Sequence, residues 1–197
     1  PVVSSAASDV YKRQDEIPIY LAAVGLKNVE MTAEIADGWL PFMYSPLKGE
    51  EIYKDSLTNG FKKSGISDKK DKFEIVTTVI GRVCDEEEVD EYLYPARNVY
   101  TLYVGGMGAK SKNFYYNLFC EYGYEDIADE LQNLYLSGNK KESEKMFPKE
   151  LLEELTLVGT KKDIEKKVEM WKESNVTEIS LSLPIDFETV KFIKDLL

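Results

Sequence analysis

Short apolar runs rich in β-branched and aromatic residues alternate with amphipathic stretches along this chain, and no other feature restricts its fold as much. A strand that follows a helix that follows a strand reads as parallel pairing, because a parallel neighbour can be reached only by a long crossover. The run "IPIYLAAV" (17–24) reads as a strand buried on both faces. "LKNVEMTAEIA" (26–36) then takes helical spacing, with Val29, Ala33 and Ala36 on one side and Glu30 and Glu34 on another. "DGWLPFM" (37–43) is a second short strand, and the helix of 45–65 opens with Ser-Pro and closes at Gly65. "FEIVTTVIGRVCD" (73–85) is the longest strand candidate. Residues 86–155 read as helix upon helix, punctuated by glycines, before a last unit of helix 161–174, strand 177–184 and helix 186–197. The expectation is an α/β fold of four parallel strands with a helical insertion after the third. An open doubly wound sheet and half of an eight-stranded barrel both fit that count.

Composition narrows the function. The 197 residues are 43% hydrophobic, enough for a substantial core, and carry a net charge of -11. That charge argues against a nucleic-acid or anionic-membrane surface, and no apolar run approaches the roughly 18 residues of a membrane span. The chain contains no His, which removes Ser-His-Asp triads, His-assisted cysteines and His-ligated metals from its own chemistry. Cys84 and Cys120 are too far apart for a metal-type spacing and read as reduced thiols of a cytoplasmic protein. No metal site is assigned.

In either candidate fold, ligands meet the C-terminal ends of the strands. The first such turn is "AAVGLKN". Ala22, Ala23 and Gly25 leave backbone amides open to close approach, the following helix points its positive end at the same spot, and Lys27 adds a full charge. That set suits a phosphate, although a Gly after a strand is also plain turn geometry. A second loop, 158–161, offers Gly159 and Thr160 before a helix, with Thr160 as N-cap. "YVGGMGAKSKN" (103–113), with Lys110 and Lys112, reads equally as a lid over the strand ends or as a helix-terminating turn. Arg97 could reach an anion or serve in a surface ion pair. Asp37 reads as a turn residue at the opposite end of its strand, Trp39 and Trp171 as core, and Glu86–Glu88 as a helix start.

Three blocks carry a family likeness. "IPIYLAAVGLKNVEMTAEIADGWLPFMYSP" resembles the core signature of the bacterial luciferase-like flavin and deazaflavin oxidoreductases. "YVGGMGAKSKNFYYNLFCEYGYEDIADELQNLYLSG" and "LVGTKKDIEKKVEMWKESNVTEISLSL" are similar to the coenzyme F-420-dependent branch of that family. The resemblance implies an eight-stranded α/β barrel of the TIM type, of which this chain would be the C-terminal half, from the fifth strand onward. It implies that Ala22, Ala23, Val24 and Gly25, with Lys27 beside them, cradle the phosphate-bearing tail of the cofactor. Family members commonly carry Pro where this chain has Leu26. Coenzyme F-420 is the expected cofactor and FMN the alternative. The intact enzyme would transfer a hydride between F-420 and an organic small molecule, or, with FMN, use molecular oxygen as a monooxygenase; a non-catalytic barrel subunit is a further alternative. The catalytic groups are expected in the first half of the barrel, so none is assigned. A half-barrel alone would expose two strand edges and would be inactive or pair as a homodimer. Residues 15–197 form the expected domain. Residues 1–14 fit no element, and "DVYKRQ" resembles a translated sequencing adapter, so that segment is expected to be foreign to the fold.

Overall fold

In the computed structural model, residues 17–108, 112–182 and 186–197 are described. The expected adapter segment, 1–14, lies outside them. The first unit is strand β1 (Tyr20–Ala22), helix α1 (Leu26–Ile35), strand β2 (Gly38–Leu40) and helix α2 (Gly49–Ser64). In α1 the buried positions Val29, Thr32 and Ala33 fall three and four apart on one stripe. That stripe packs on α2 at Gly60, where an added Cβ would strike the Glu30 carbonyl and lie 2.6 Å from Ala33 Cβ. Glu50 and Glu51 in the first turn of α2 and Lys62 and Lys63 in the last complement its dipole. Gly65 then takes the left-handed conformation (φ 69°) that stops the helix. A short helix, α3 (Lys69–Lys72), leads to the long strand β3 (Glu74–Val83).

A 3-10 turn (Glu86–Glu88) opens the insertion. It holds α4 (Val89–Gly106), α5 (Phe114–Phe119), a π-helical stretch (Cys120–Tyr124), α6 (Glu125–Leu136), α7 (Lys140–Met146) and α8 (Lys149–Glu154). The chain ends with β4 (Leu157–Gly159), α9 (Lys161–Lys172), β5 (Glu178–Ser182) and α10 (Phe187–Leu196). The buried side chains form one hydrophobic core that joins sheet, outer helices and insertion.

All the strand pairs are parallel. β1 pairs with β2, β2 with the start of β3, and β5 with the middle of β3 from Val76 to Ile80. Each of these strands lies beside the next in sequence with no reversal of direction, the winding of a barrel arc rather than of a doubly wound sheet. The four-stranded α/β arc expected from the sequence is therefore present, with its helical insertion after the third strand. The fifth strand, β4, was read from sequence as a loop. Its three residues pair with Gly81–Val83 at the far end of β3.

The expectation that the first strand is buried on both faces does not hold. On β3, Ile75, Thr77 and Val79 are buried under helices, whereas Val76 and Ile80 are half-buried and Thr78 is exposed. Ala22, Leu40 and Ser180 are likewise exposed. The helices cover one face of the sheet, and the other remains an open concave surface among the described residues. At the C-terminal end of β3, Arg82 forms an ion pair with Asp186 and donates to the Tyr92 hydroxyl (3.2 Å), which ties β3 to α4 and to the start of α10.

Candidate functional site

The turn from β1 into α1 is held from behind. Trp39, fully buried, donates its indole Nε1–H to the Ala23 carbonyl at 2.8 Å. This side chain, read from sequence as core alone, therefore also fixes the end of β1. Ala22 is exposed, Ala23 buried, and Val24 and Gly25 half-buried, while Lys27 projects into solvent. Gly25 is the N-cap of α1 with an ordinary extended backbone (φ -67°, ψ 135°), so no left-handed geometry demands glycine there. Close approach does: a Cβ on Gly25 would lie 2.8 Å from Cε1 of Phe114.

The Gly25 carbonyl accepts from the Asn28 and Val29 amides at 2.9 and 3.0 Å. The earlier amides, of Leu26 and Lys27, have no intrahelical partner. No side chain caps this helix, and its first turn contains no acidic residue. The other helices that follow strands are closed by their own side chains. Ser45 Oγ accepts from the Lys48 amide at 2.9 Å before α2, and Asp85 and Glu88 form a capping box before α4. Asp186 caps α10 through the Thr189 amide at 2.8 Å.

The loop 158–161 is closed in the same way. Thr160 Oγ1 accepts from the Asp163 amide, and the Asp163 carboxylate accepts from the Thr160 amide and hydroxyl (3.3, 3.2 and 2.6 Å). These contacts, the Thr160 hydroxyl foremost, hold the Asp163 carboxyl below its usual range. The second anion candidate thus carries its own anion, and among the described residues α1 alone of this set has neither a side-chain cap nor an acidic residue in its first turn.

Beside that turn lies a cavity of about 440 Å³, between the β1–α1 turn, the first turns of α2, and α5 with its π-helical continuation. Val24, Leu26, Ile52 and Leu118 give it apolar walls. Tyr53 contributes a phenol whose pKa is pushed well up by burial, with the charge of Glu121 adding to the effect. α5 is positioned by Asn113, fully buried. Its Oδ1 accepts from the Tyr115 and Tyr116 amides (2.9 and 3.1 Å), and its Nδ2 donates to the Tyr103 and Val104 carbonyls (2.9 and 2.8 Å). One side chain thereby closes the end of α4 and the start of α5.

In the segment 103–113, Gly105 and Gly106 lie inside the last turn of α4, against the ring of Tyr135. Gly108 makes the turn at φ 135°, Lys112 is exposed, and Lys110 lies outside the described residues. Arg97 is half-buried with an unpartnered Nε, and Asp37 accepts from the Ile19 amide at 2.8 Å, pinning the start of β1.

The loop after β2 holds a feature that no local sequence signal announces. Met43 is buried with φ 57°, a costly conformation for a side chain without a polar group. The Tyr122 hydroxyl donates to the Met43 carbonyl (2.6 Å) and accepts from the Ser45 amide (3.0 Å), which holds the strained turn. Among the described residues no group of carboxylates and cysteines is placed to hold a metal ion, and both cysteines are free. No helix among them is long and apolar enough to cross a membrane.

A singly wound parallel arc of strands with helices on one face places the chain in the α/β class, with the winding of a TIM barrel. Residues 4–178 match the model of the luciferase-like monooxygenase family, and the chain belongs to that family. It is 35% identical over 162 residues to a candidate coenzyme F-420-dependent oxidoreductase of Mycobacterium tuberculosis, covering 82% of this chain and 46% of that protein. It is 25% identical over 178 residues to the 5,10-methylenetetrahydromethanopterin reductase of Archaeoglobus fulgidus, covering 90% and 52%. Among solved structures it is similar to the coenzyme F-420-dependent tetrahydromethanopterin reductase of Methanopyrus kandleri (TM-score 0.66, 20% identity, 90% of this chain and 48% of that one). It is also similar to an F-420-dependent secondary alcohol dehydrogenase solved with an F-420–acetone adduct (TM-score 0.60, 16% identity, 93% and 49%). The chain spans about half the length of the relatives it matches.

Proposed function

We propose that this chain is the cofactor-tail-binding half of a coenzyme F-420-dependent oxidoreductase barrel that acts on an organic small molecule. The observation that carries the reading is the bare N-terminus of α1 at the end of β1, uncapped and free of acidic residues where the neighbouring strand–helix turns are closed. The names of the relatives supply the cofactor: F-420 is part of the name or title of the mycobacterial relative and of both solved structures.

The residues present fit a phosphate-bearing tail. The amides of Leu26 and Lys27 and the positive end of the helix dipole would take the phosphate oxygens. The small side chains at Ala22, Ala23 and Gly25 leave room for backbone approach, and the Lys27 ammonium adds long-range attraction. Trp39, through the Ala23 carbonyl, keeps the turn in place as ligand arrives. When bound, the deazaflavin supplies the hydride chemistry. This chain holds the tail, and no group of it is assigned to the reacting atoms.

Amide spectra of the isotope-labelled chain test this. Coenzyme F-420 should shift the Gly25, Leu26 and Lys27 resonances saturably. Lys27→Glu, at an exposed position in the first turn of α1, reverses the charge beside these amides and should weaken the shifts while leaving the helix as stable or slightly more so. FMN shifting these amides while F-420 does not would assign FMN instead. Silence of all three amides toward both would overturn the reading.

A further inference from the structure

The α1 turn and the cavity beside it are one site, because Val24, Gly25 and Leu26 belong to both. A tail whose phosphate sits on the Leu26 and Lys27 amides therefore has this space of about 440 Å³ for the atoms next to the phosphate. Of the polar side chains that line it, Asn117 and Glu121 are exposed and already meet water. Tyr53 is different: it is 2% exposed, and its hydroxyl has no hydrogen-bond partner among the described residues. A phenol taken out of water in this way costs free energy until its hydroxyl finds an acceptor. The polar atoms that are both partnerless and sealed from solvent lie on Arg82, Arg97, Thr101, Gln132 and Trp171, so the Tyr53 hydroxyl is open to the cavity rather than enclosed.

The phenol and the turn are held in one frame by Trp39. Its indole Nε1–H holds the Ala23 carbonyl at 2.8 Å, and its ring packs edge-on against Tyr53 with centroids 4.7 Å apart. Tyr44 stacks on the same phenol at 6.3 Å. Tyr53 lies in the second turn of α2, which the contact at Gly60 fixes against α1. With its ring packed in this way, Tyr53 loses little rotamer freedom when a ligand arrives. Burial pushes its pKa well above the ordinary value, so the hydroxyl is a proton donor across neutral and mildly alkaline pH.

We infer, on the reading of the α1 turn as the seat of the phosphate, that Tyr53 is a further binding residue of the same site. Its hydroxyl donates to an oxygen of the chain that carries the phosphate. The ligand class is thus a phosphate ester whose chain bears a hydroxyl, carbonyl or ester oxygen close to the phosphate. A bare phosphate ion occupies the amides and leaves the phenol untouched.

On the full chain, NMR follows the Leu26 and Lys27 amides together with Cζ of isotope-labelled tyrosine, the Tyr53 signal being assigned by its loss in Tyr53→Phe. Coenzyme F-420 should move the amides and Tyr53 Cζ saturably with one affinity. Inorganic phosphate at equal ionic strength should leave Tyr53 Cζ where it is. Tyr53→Phe should weaken F-420 about tenfold, the loss of one hydrogen bond in a part-buried site. Because the hydroxyl supports no bond within the protein, the urea midpoint of this variant should stay the same or rise slightly. A lower midpoint would mean that the hydroxyl holds the fold, and would overturn the inference. So would F-420 that moves the amides but not Tyr53 Cζ, or that binds the Phe variant equally well; either result leaves the reading of the turn standing. A phosphate ion that moves Tyr53 Cζ would put the phosphate itself on the phenol and overturn the assignment to the chain. Amides that stay silent while F-420 moves Tyr53 Cζ would overturn the reading of the turn and leave the phenol as a binding group. Silence of both would overturn both.

Discussion

At the scale of the residue, the site depends on side chains whose work is to hold backbone. Trp39→Phe keeps an aromatic ring in the core but leaves the Ala23 carbonyl without its donor. The expected cost is about 1–3 kcal/mol, the penalty for a buried acceptor left unpaired, read from urea denaturation. Affinity of the α1 turn for F-420 should fall with it, since the end of β1 is then free to shift. Asn113→Ala removes bonds at two helix ends at once, and about 2 kcal/mol or more should be lost by the same measurement, above a single N-cap. The first of these residues was legible in the sequence only as core, and the second not at all. Periodicity reports which side of an element is buried, not which distant carbonyl an indole or amide reaches. Gly25 was legible because small residues at a strand end are a local signal. That Phe114, 89 positions later, covers it is not.

At the scale of the element, α1 and α2 touch through a glycine, and that contact can be tested. Gly60→Ala would raise helix propensity in isolation. Here the new Cβ meets the Glu30 carbonyl and Ala33. Backbone cannot give way as a flexible side chain can, so a net loss of about 1–3 kcal/mol is expected in thermal or urea unfolding. The last helix has a pH-dependent anchor. The Asp186 carboxyl lies below its usual range, first because it accepts from the Thr189 amide, with the Thr189 hydroxyl and Arg82 adding to the shift. A carboxyl with a depressed folded-state pKa contributes stability that is full above the unfolded value near 4 and is lost as pH falls through the folded value. Protection factors of the α10 amides, corrected for the intrinsic pH dependence of exchange, should therefore be constant from pH 7 to about 5 and fall below about 4, and Asp186→Asn should flatten that fall. Helix and strand positions were legible because the alternation of periods spans the whole chain, and the bounds of α2, α9 and β3 fall within a few residues of expectation. β4 was not legible. Its three residues acquire strand geometry only by pairing with Gly81–Val83, more than seventy positions away.

At the scale of the whole molecule, the sheet is covered on one face and open on the other, and the two faces should respond oppositely to the same substitution. Val79 is fully buried beneath the helices, while Val76, Thr78 and Ile80 point to the open concave side. Strands β1 and β5 each pair along one edge only among the described residues. Unpaired edges and an exposed apolar face drive association. Sedimentation velocity of the 197-residue chain should thus show concentration-dependent self-association, opposed by its charge of -11 and so strengthened by salt. Lysine at Val76 or Thr78 should abolish that association and cost far less unfolding free energy than a buried substitution, because Thr78 is exposed and Val76 is half-buried outside the core cluster. Lysine at Val79 should instead unfold the chain, since a buried ammonium there would have no partner. If the open face is where the rest of a barrel belongs, the inner-face lysines should also block recovery of activity when the chain is joined to a polypeptide supplying four further strand–helix units. A chain that stays monomeric at every concentration, with Val76→Lys as destabilising as Val79→Lys, would mean that the concave face is closed in solution by some other arrangement of these same elements.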